Sequence, residues 1–245
     1  SSHKEIVSVL QRLRKSGDAV VVIDQIYGLP GQTMDMWEKD IKVLFSENMI
    51  SGVDHYPLIR MPGTPLDNAL SSGNLPNLPT AADRAKMFCR SVEIMEKHGA
   101  KRISLKHFAL APCERNRYNR LQACGGNTVP IGCGGGGTFS GYFFYQGGTL
   151  ENYYKKLDSM EKPLTQVSLV TPEDVLMNKL AGAIQNNFSF SLDELQKSSG
   201  WDGFDLTECF LPLLRQYEEC GILNMADDGR IVLTLAGQFW NNAIL

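Results

Sequence analysis

Along the first 110 residues the apolar positions switch repeatedly between a helical period and short continuous runs. Ile6, Val9, Leu10 and Leu13 share one helical face and predict a helix over Lys4 to Ser16 that stops at Gly17. Val20 to Leu29 follows as an apolar run carrying one carboxylate, Asp24, and ends at Gly28-Leu29-Pro30-Gly31. Such a run suits a strand covered on both faces, and Pro30 and Gly31 close it. Met34, Trp37, Ile41, Leu44, Phe45 and Asn48 trace the stripe of a helix over Asp35 to Met49, broken only by the last. Val53 to Ile59 reads as the next strand, and Pro62 to Pro65 as a turn. Ser71 to Pro79 is a loop, and Ala81 to Lys97 is a helix that faces inward through Ala81, Ala85, Phe88, Val92 and Met95. Gly99 stops it, and Arg102 to Leu110 is a further strand. Strands alternating with helices predict a parallel sheet with right-handed crossovers, an α/β architecture of the barrel type.

From Pro163 the pattern changes. Thr171-Pro172-Glu173-Asp174 opens a helix with a capping threonine, a proline in the first turn and carboxylates against the dipole. Ser191 to Glu194 repeats the capping pattern, and Leu206, Phe210, Leu213, Leu214 and Tyr217 fall at helical spacing. Gly221 to Leu223 and Arg230 to Thr234 flank Ala226-Asp227-Asp228-Gly229 as a hairpin. Three helices and a hairpin resemble a winged-helix fold. The expected division is therefore a β/α part over 1–160 and a small winged-helix-like α+β domain over 161–245.

Charge narrows the classes of partner. The net charge is −3, and residues 161–245 carry 5 Lys and Arg against 12 Asp and Glu. An acidic winged-helix-like part disfavours a DNA-binding regulator, and no nucleic-acid partner is expected. No apolar stretch is long enough for a membrane span and no leader pattern is evident, so the chain reads as cytoplasmic without a membrane partner. The six cysteines, Cys89, Cys113, Cys124, Cys133, Cys209 and Cys220, include no Cys-x-x-Cys pair, which fits neither a disulfide framework nor a metal site.

Four places could carry chemistry. In barrels of this type the carboxyl ends of strands line the active mouth, so Asp24 either holds a polar ligand or ties down backbone amides. The run Gly132-Cys133-Gly134-Gly135-Gly136-Gly137-Thr138 either lets backbone approach a ligand or makes a tight turn, and it lacks the Gly-Lys-Ser/Thr of a phosphate loop. His107, at a strand end, is either a proton carrier or ligand contact or an oriented structural histidine, and His55 has the same standing. Arg115, Arg117, Tyr118, Asn119 and Arg120 form a basic and aromatic loop suited to a flat ring bearing carboxylates, or simply a solvated one.

Asp24 to Thr33, Tyr56, Thr64-Pro65-Leu66, His107-Phe108-Ala109, Tyr118-Asn119 and the glycine run from Gly132 resemble, in this order, the oxygen-independent coproporphyrinogen III oxidase family of radical S-adenosylmethionine proteins. Asp24 to Gln32, Asp54 to Leu58 and Cys124 to Tyr142 look closest to its haem-utilisation branch, anaerobic haem-degrading methyltransferases. The resemblance implies the second half of a partial β/α barrel with an unpaired strand edge, followed by a C-terminal domain on the substrate side. It implies S-adenosylmethionine contacts at Asp24 (the ribose), at Pro57 or Leu58, at Gly132 and Gly134, and at Thr138, where the family usually has an aliphatic residue. Tyr56, His107, Arg117, Tyr118 and Asn119 are the corresponding substrate candidates, for haem or coproporphyrinogen III, and His107 is the candidate for a catalytic role. An electron donor is a further implied partner. The family's [4Fe–4S] cluster sits on a Cys-x-x-x-Cys-x-x-Cys loop that this sequence lacks, so no metal ligand is expected in the chain. The chain then reads as the later, by itself inactive, part of a longer enzyme with its cluster loop upstream of Ser1. A non-catalytic haem-binding or haem-transfer homologue is the alternative.

Overall fold

The structure, a computed structural model, describes residues 3–15, 17, 19–47 and 50–244. The predicted helix ends at Ser16 and at Asn48 and Met49 lie outside the described residues. The chain divides into two compact units, Ser1–Asn116 and Arg117–Leu245.

The first unit runs α1 (His3–Lys15), β1 (Val22–Tyr27), α2 (Met34–Glu47), β2 (Gly52–Pro57), α3 (Pro65–Ser71), α4 (Ala81–Lys97), β3 (Lys101–Arg102) and β4 (His107–Ala109). Its sheet has the order β1-β2-β4-β3, with β1 at one edge. β1 and β2 are parallel, pairing Val22 with Gly52 through Tyr27 with Pro57. The single strand expected over Arg102 to Leu110, and with it an all-parallel sheet, is corrected. The chain folds back between β3 and β4, which pair antiparallel, and β4 inserts antiparallel to β2. Ser104 makes the reversal: its hydroxyl accepts from the His107 amide at 3.3 Å, while the Ile103 amide donates to the His107 carbonyl at 2.9 Å. The reversal places His107 opposite Asp54.

Because side chains alternate across a strand, the sheet has two unlike faces. One is packed: Tyr27, Val53 and Phe108 are buried with Trp37, Ile41 and Leu44 of α2 and Phe88, Val92 and Met95 of α4. Trp37 donates its indole N–H to the Met87 carbonyl at 3.0 Å, which satisfies the one polar atom of that large side chain. The Arg102 guanidinium lies 5.5 Å and 5.6 Å from the ring centres of Phe88 and Phe108. The other face carries Val22, Asp24 and Ile26 of β1, all exposed.

The second unit holds α5 (Arg117–Ala123), β5 (Gly136–Phe139), β6 (Tyr142–Tyr145), α6 (Leu150–Asp158), β7 (Gln166–Leu169), α7 (Pro172–Asn186), β8 (Ser189–Phe190), α8 (Leu192–Ser199), α9 (Leu206–Glu219), β9 (Leu223–Met225), β10 (Ile231–Leu233), α10 (Leu235–Phe239) and α11 (Asn241–Ile244). β5, β6 and β7 form an antiparallel sheet that crosses residue 160, since Tyr145 pairs with Gln166. The domain boundary expected between 160 and 161 and the division into compact units after Asn116 thus fall at different places. The predicted caps form: Thr171 and Asp174 make a reciprocal capping box, and Ser191 accepts from the Glu194 amide. β8, β10 and β9 make a second antiparallel sheet in that order.

The glycine run is the entry to β5. Gly132 and Gly134 take φ of +94° and +83°, and the Gly134 amide donates to the Gln146 carbonyl at 2.6 Å. A Cβ on Gly137 would stand 2.4 Å from the Thr128 carbonyl oxygen. These local demands account for three of the glycines by turn geometry and close backbone approach. Gly137→Ala is therefore expected to destabilise the second unit by about 1–3 kcal/mol through overpacking, read as a lowered urea midpoint. An unchanged midpoint would mean that this backbone relaxes freely.

Candidate functional site

Asp24, Asp54 and His107 form one row across three strands, since Asp24 pairs with Asp54 in the β1–β2 register and Asp54 with His107 in the β2–β4 register. Paired residues share a face, so all three point away from the packed helices. Asp54 and His107 are buried, whereas Asp24 is exposed at the edge strand. The His107 Nδ1 atom lies 3.0 Å from Asp54 Oδ1. Its Nε2 atom lies 3.3 Å from Glu114 Oε1, a charge contact whose angle falls short of a formed hydrogen bond. Glu114 also accepts from the Asn116 amide. Gly52 makes room for this arrangement: a Cβ there would stand 2.8 Å from Glu114 Cγ and 3.2 Å from His107 Nε2.

The electrostatics follow from the packing. Burial opposes charge on His107, but the Asp54 hydrogen bond and the Asp54 and Glu114 charges overcome it and raise its pKa above the ordinary value. Partial burial, reinforced by the Asp54 charge, raises the Asp24 carboxyl, and His107 acts against that rise. Tyr56, half-buried on β2, is pushed up to about 12 by burial and by Asp54 and Asp24. Lys106 holds its ammonium 5.9 Å from the centre of the Tyr56 ring, and burial lowers its pKa.

The end of β1 shows why its sequence is so particular. Gly28 and Gly31 take φ of +80° and +72°, and the buried Gln32 amide oxygen accepts from the amides of Gly28 at 2.7 Å and Leu29 at 3.2 Å. Pro57 pairs with Tyr27 across the same end, and the Leu58 amide donates to the Tyr27 carbonyl at 2.8 Å. Arg84 reaches the Leu58 carbonyl at 3.4 Å.

The structure thus brings together Asp24, Tyr56 and His107, with Pro57 and Leu58 at the strand ends of the same sheet. Gly132, Gly134, Thr138, Arg117, Tyr118 and Asn119 belong to the second unit. There the expected loop around Tyr118 is corrected to helix α5, which begins after Asn116, a residue at φ +49°. Tyr118 is exposed and its hydroxyl accepts from Gln122 at 2.8 Å. His55 separates from His107. It is buried on the packed face between Trp37 and Phe108, at ring distances of 5.0 and 5.2 Å, and neither ring nitrogen has a hydrogen-bond partner. Its environment holds it neutral, so it is a core residue. Glu114 is the functional candidate that the sequence concealed, and Asp54 was visible only as a carboxylate within a strand motif.

Among the described residues no group of three or more His, Cys, Asp and Glu could hold a metal ion, so those residues do not fit a [4Fe–4S] cluster. Asp24 fits a hydroxyl-bearing ligand: its carboxylate is exposed and receives no hydrogen bond from a described residue.

The chain, over its full length, superposes on 58% of coproporphyrinogen III oxidase (HemN) from Escherichia coli, a radical SAM enzyme, with a TM-score of 0.76 at 17% identity. In sequence it is homologous to anaerobilin synthase of Escherichia coli O157:H7, at 28% identity over 239 residues, or 98% of this chain and 51% of that protein. It also matches the heme chaperone HemW of Lactococcus lactis at 28% over 200 residues (78% of this chain, 52% of that one) and that of Bacillus subtilis at 23% over 244 residues (98% and 62%). No family model matches. The chain spans about half the length of the first two of these relatives. No described helix is long and apolar enough to cross a membrane.

Proposed function

We propose that this chain is part of a radical S-adenosylmethionine enzyme acting on a tetrapyrrole, of the haem-degrading kind. The observation that carries the reading is the open sheet face: Asp24, on its edge strand, lies in the motif that resembles the family's, within a chain homologous to anaerobilin synthase over 98% of its length. In this reading Asp24 accepts hydrogen bonds from the ribose hydroxyls of S-adenosylmethionine. The backbone at Pro57 and Leu58 orients the same cofactor at the strand ends. Tyr56 offers a ring face and Lys106 a cation toward the substrate side. When bound, the cofactor supplies the methyl group or the radical chemistry. The turn held by Gln32 fixes where β1 ends and so where Asp24 stands relative to the rim.

The units have separate tasks in this reading. Residues from α7 to β10 follow the order helix, strand, helix, helix, strand, strand, which supports a winged-helix-like module in the second unit. The similarity to two heme chaperones supports a second reading, in which the protein binds and transfers haem without degrading it. Asp24 separates the two. Asp24→Ala is expected to weaken S-adenosylmethionine binding roughly 5- to 150-fold, the loss of a hydrogen bond of about 1–3 kcal/mol to a buried partner. Titration calorimetry on the anaerobically purified protein measures this. Unchanged affinity would leave the chaperone reading in possession of the site.

A further inference from the structure

His107 has two carboxylate neighbours and, as a neutral ring, only one N–H to offer. Nδ1 faces Asp54 at 3.0 Å and Nε2 faces Glu114 at 3.3 Å, and all three side chains are more than nine-tenths buried. Only the imidazolium presents a proton to both. A neutral ring would set a lone pair against one buried carboxylate, which is the costlier arrangement in a medium of low dielectric. The cross-strand row then sets this cation two strands from Asp24, with Asp54 between them.

Asp54 of β2 and His107 of β4 act on Asp24 and Tyr56 of β2 lies beside it, while Lys106 stands against Tyr56 and Asp54, and Glu114 of the following loop against His107. With His107 and Lys106 charged, two cations stand against three carboxylates. Removing the imidazolium leaves one cation against three. We propose that His107 is a positioning residue for Asp24, its imidazolium held by Asp54 and Glu114 so that Asp24 stays ionised and able to accept the ribose hydroxyls. The inference rests on the reading of Asp24 as the ribose acceptor and adds that the buried triad sets the pH range of cofactor binding.

The variants move the acid limb in opposite directions. S-adenosylmethionine affinity of the anaerobically purified protein, measured by calorimetry between pH 5 and 8, is expected to fall toward the acid end as Asp24 takes up a proton. His107→Gln removes the cation and moves that limb up by about half to one pH unit, whereas Glu114→Gln removes a carboxylate and moves it down by a similar amount. Nitrogen chemical shifts of His107 report the imidazolium directly at pH 7, and a neutral-ring signature there would overturn the proposal. So would a limb that stays in place in Glu114→Gln, the variant that keeps an acceptor facing Nε2 and carries the test if His107→Gln does not fold. Asp24→Asn distinguishes the two levels. If it weakens binding and abolishes the limb while Glu114→Gln moves nothing, this inference alone fails. If it changes neither affinity nor limb, the ribose reading fails first.

Discussion

His107→Ala is expected to lower the unfolding free energy by about 3–5 kcal/mol near pH 6, because it leaves the Asp54 and Glu114 carboxylates buried without their shared cation. The pH dependence carries the signature. The folded-state pKa of His107 is raised above its ordinary value, so its contribution is fully present below about pH 6.5 and is lost as pH rises through the raised value. The gap between wild type and His107→Ala should therefore narrow at pH 9. Urea unfolding at pH 6 and pH 9 measures both free energies. A gap that widened with pH would show that the ring packs neutral and that the two carboxylates find other partners. Replacing Asp54 by Asn and Glu114 by Gln together with His107→Ala removes the stranded charges and should recover part of the loss. A large residual cost would instead point to the cavity left by the ring.

Local features of this architecture are legible in the sequence, and non-local ones are not. α4 runs from Ala81 to Lys97 as expected, with Phe88, Val92 and Met95 buried although Ala81, expected inward, is exposed, and the Thr171 capping box forms as its four residues predict. Those signals lie within one or two helical turns. The sheet around His107 depends on a reversal at Ile103 to Lys106, where Ile-Ser-Leu-Lys continues the alternation of a single strand and gives no sign that the chain turns back. Its partners lie 53 residues upstream and 7 downstream, and periodicity does not bring Asp54 or Glu114 to it. The β5-β6-β7 sheet escaped for a different reason. Tyr142-Phe143-Phe144-Tyr145 has strong strand propensity but no alternation, and its partner Gln166 to Leu169 is exposed along its whole length. The glycines that look most like a ligand cradle have turn and backbone demands of their own, while Asp24, which the sequence leaves open between a ligand holder and a buried carboxylate, is exposed.

The two histidines of the sheet push stability in opposite directions with pH, and His55 gives the second large effect. It is 2% exposed, between Trp37 and Phe108, and burial together with the nearby Arg102 charge lowers its pKa to about 3. Between about pH 6.5 and that value the unfolded chain binds a proton that the folded chain refuses, so stability is whole above pH 6.5 and declines as pH falls. The slope is about 1.4 kcal/mol per pH unit, which makes the loss roughly 3 kcal/mol between pH 7 and pH 4.5. Leucine has nearly the volume of histidine and no polar atoms to leave unpaired. His55→Leu should thus match or exceed wild-type stability at pH 7, by up to about 1 kcal/mol, and lose roughly 3 kcal/mol less on acidification. Urea midpoints of both proteins at pH 7 and pH 4.5 measure the difference. Parallel acid losses would mean that water or a rotated ring solvates His55, and that the packed face of the sheet is looser than the contacts among Trp37, His55 and Phe108 require.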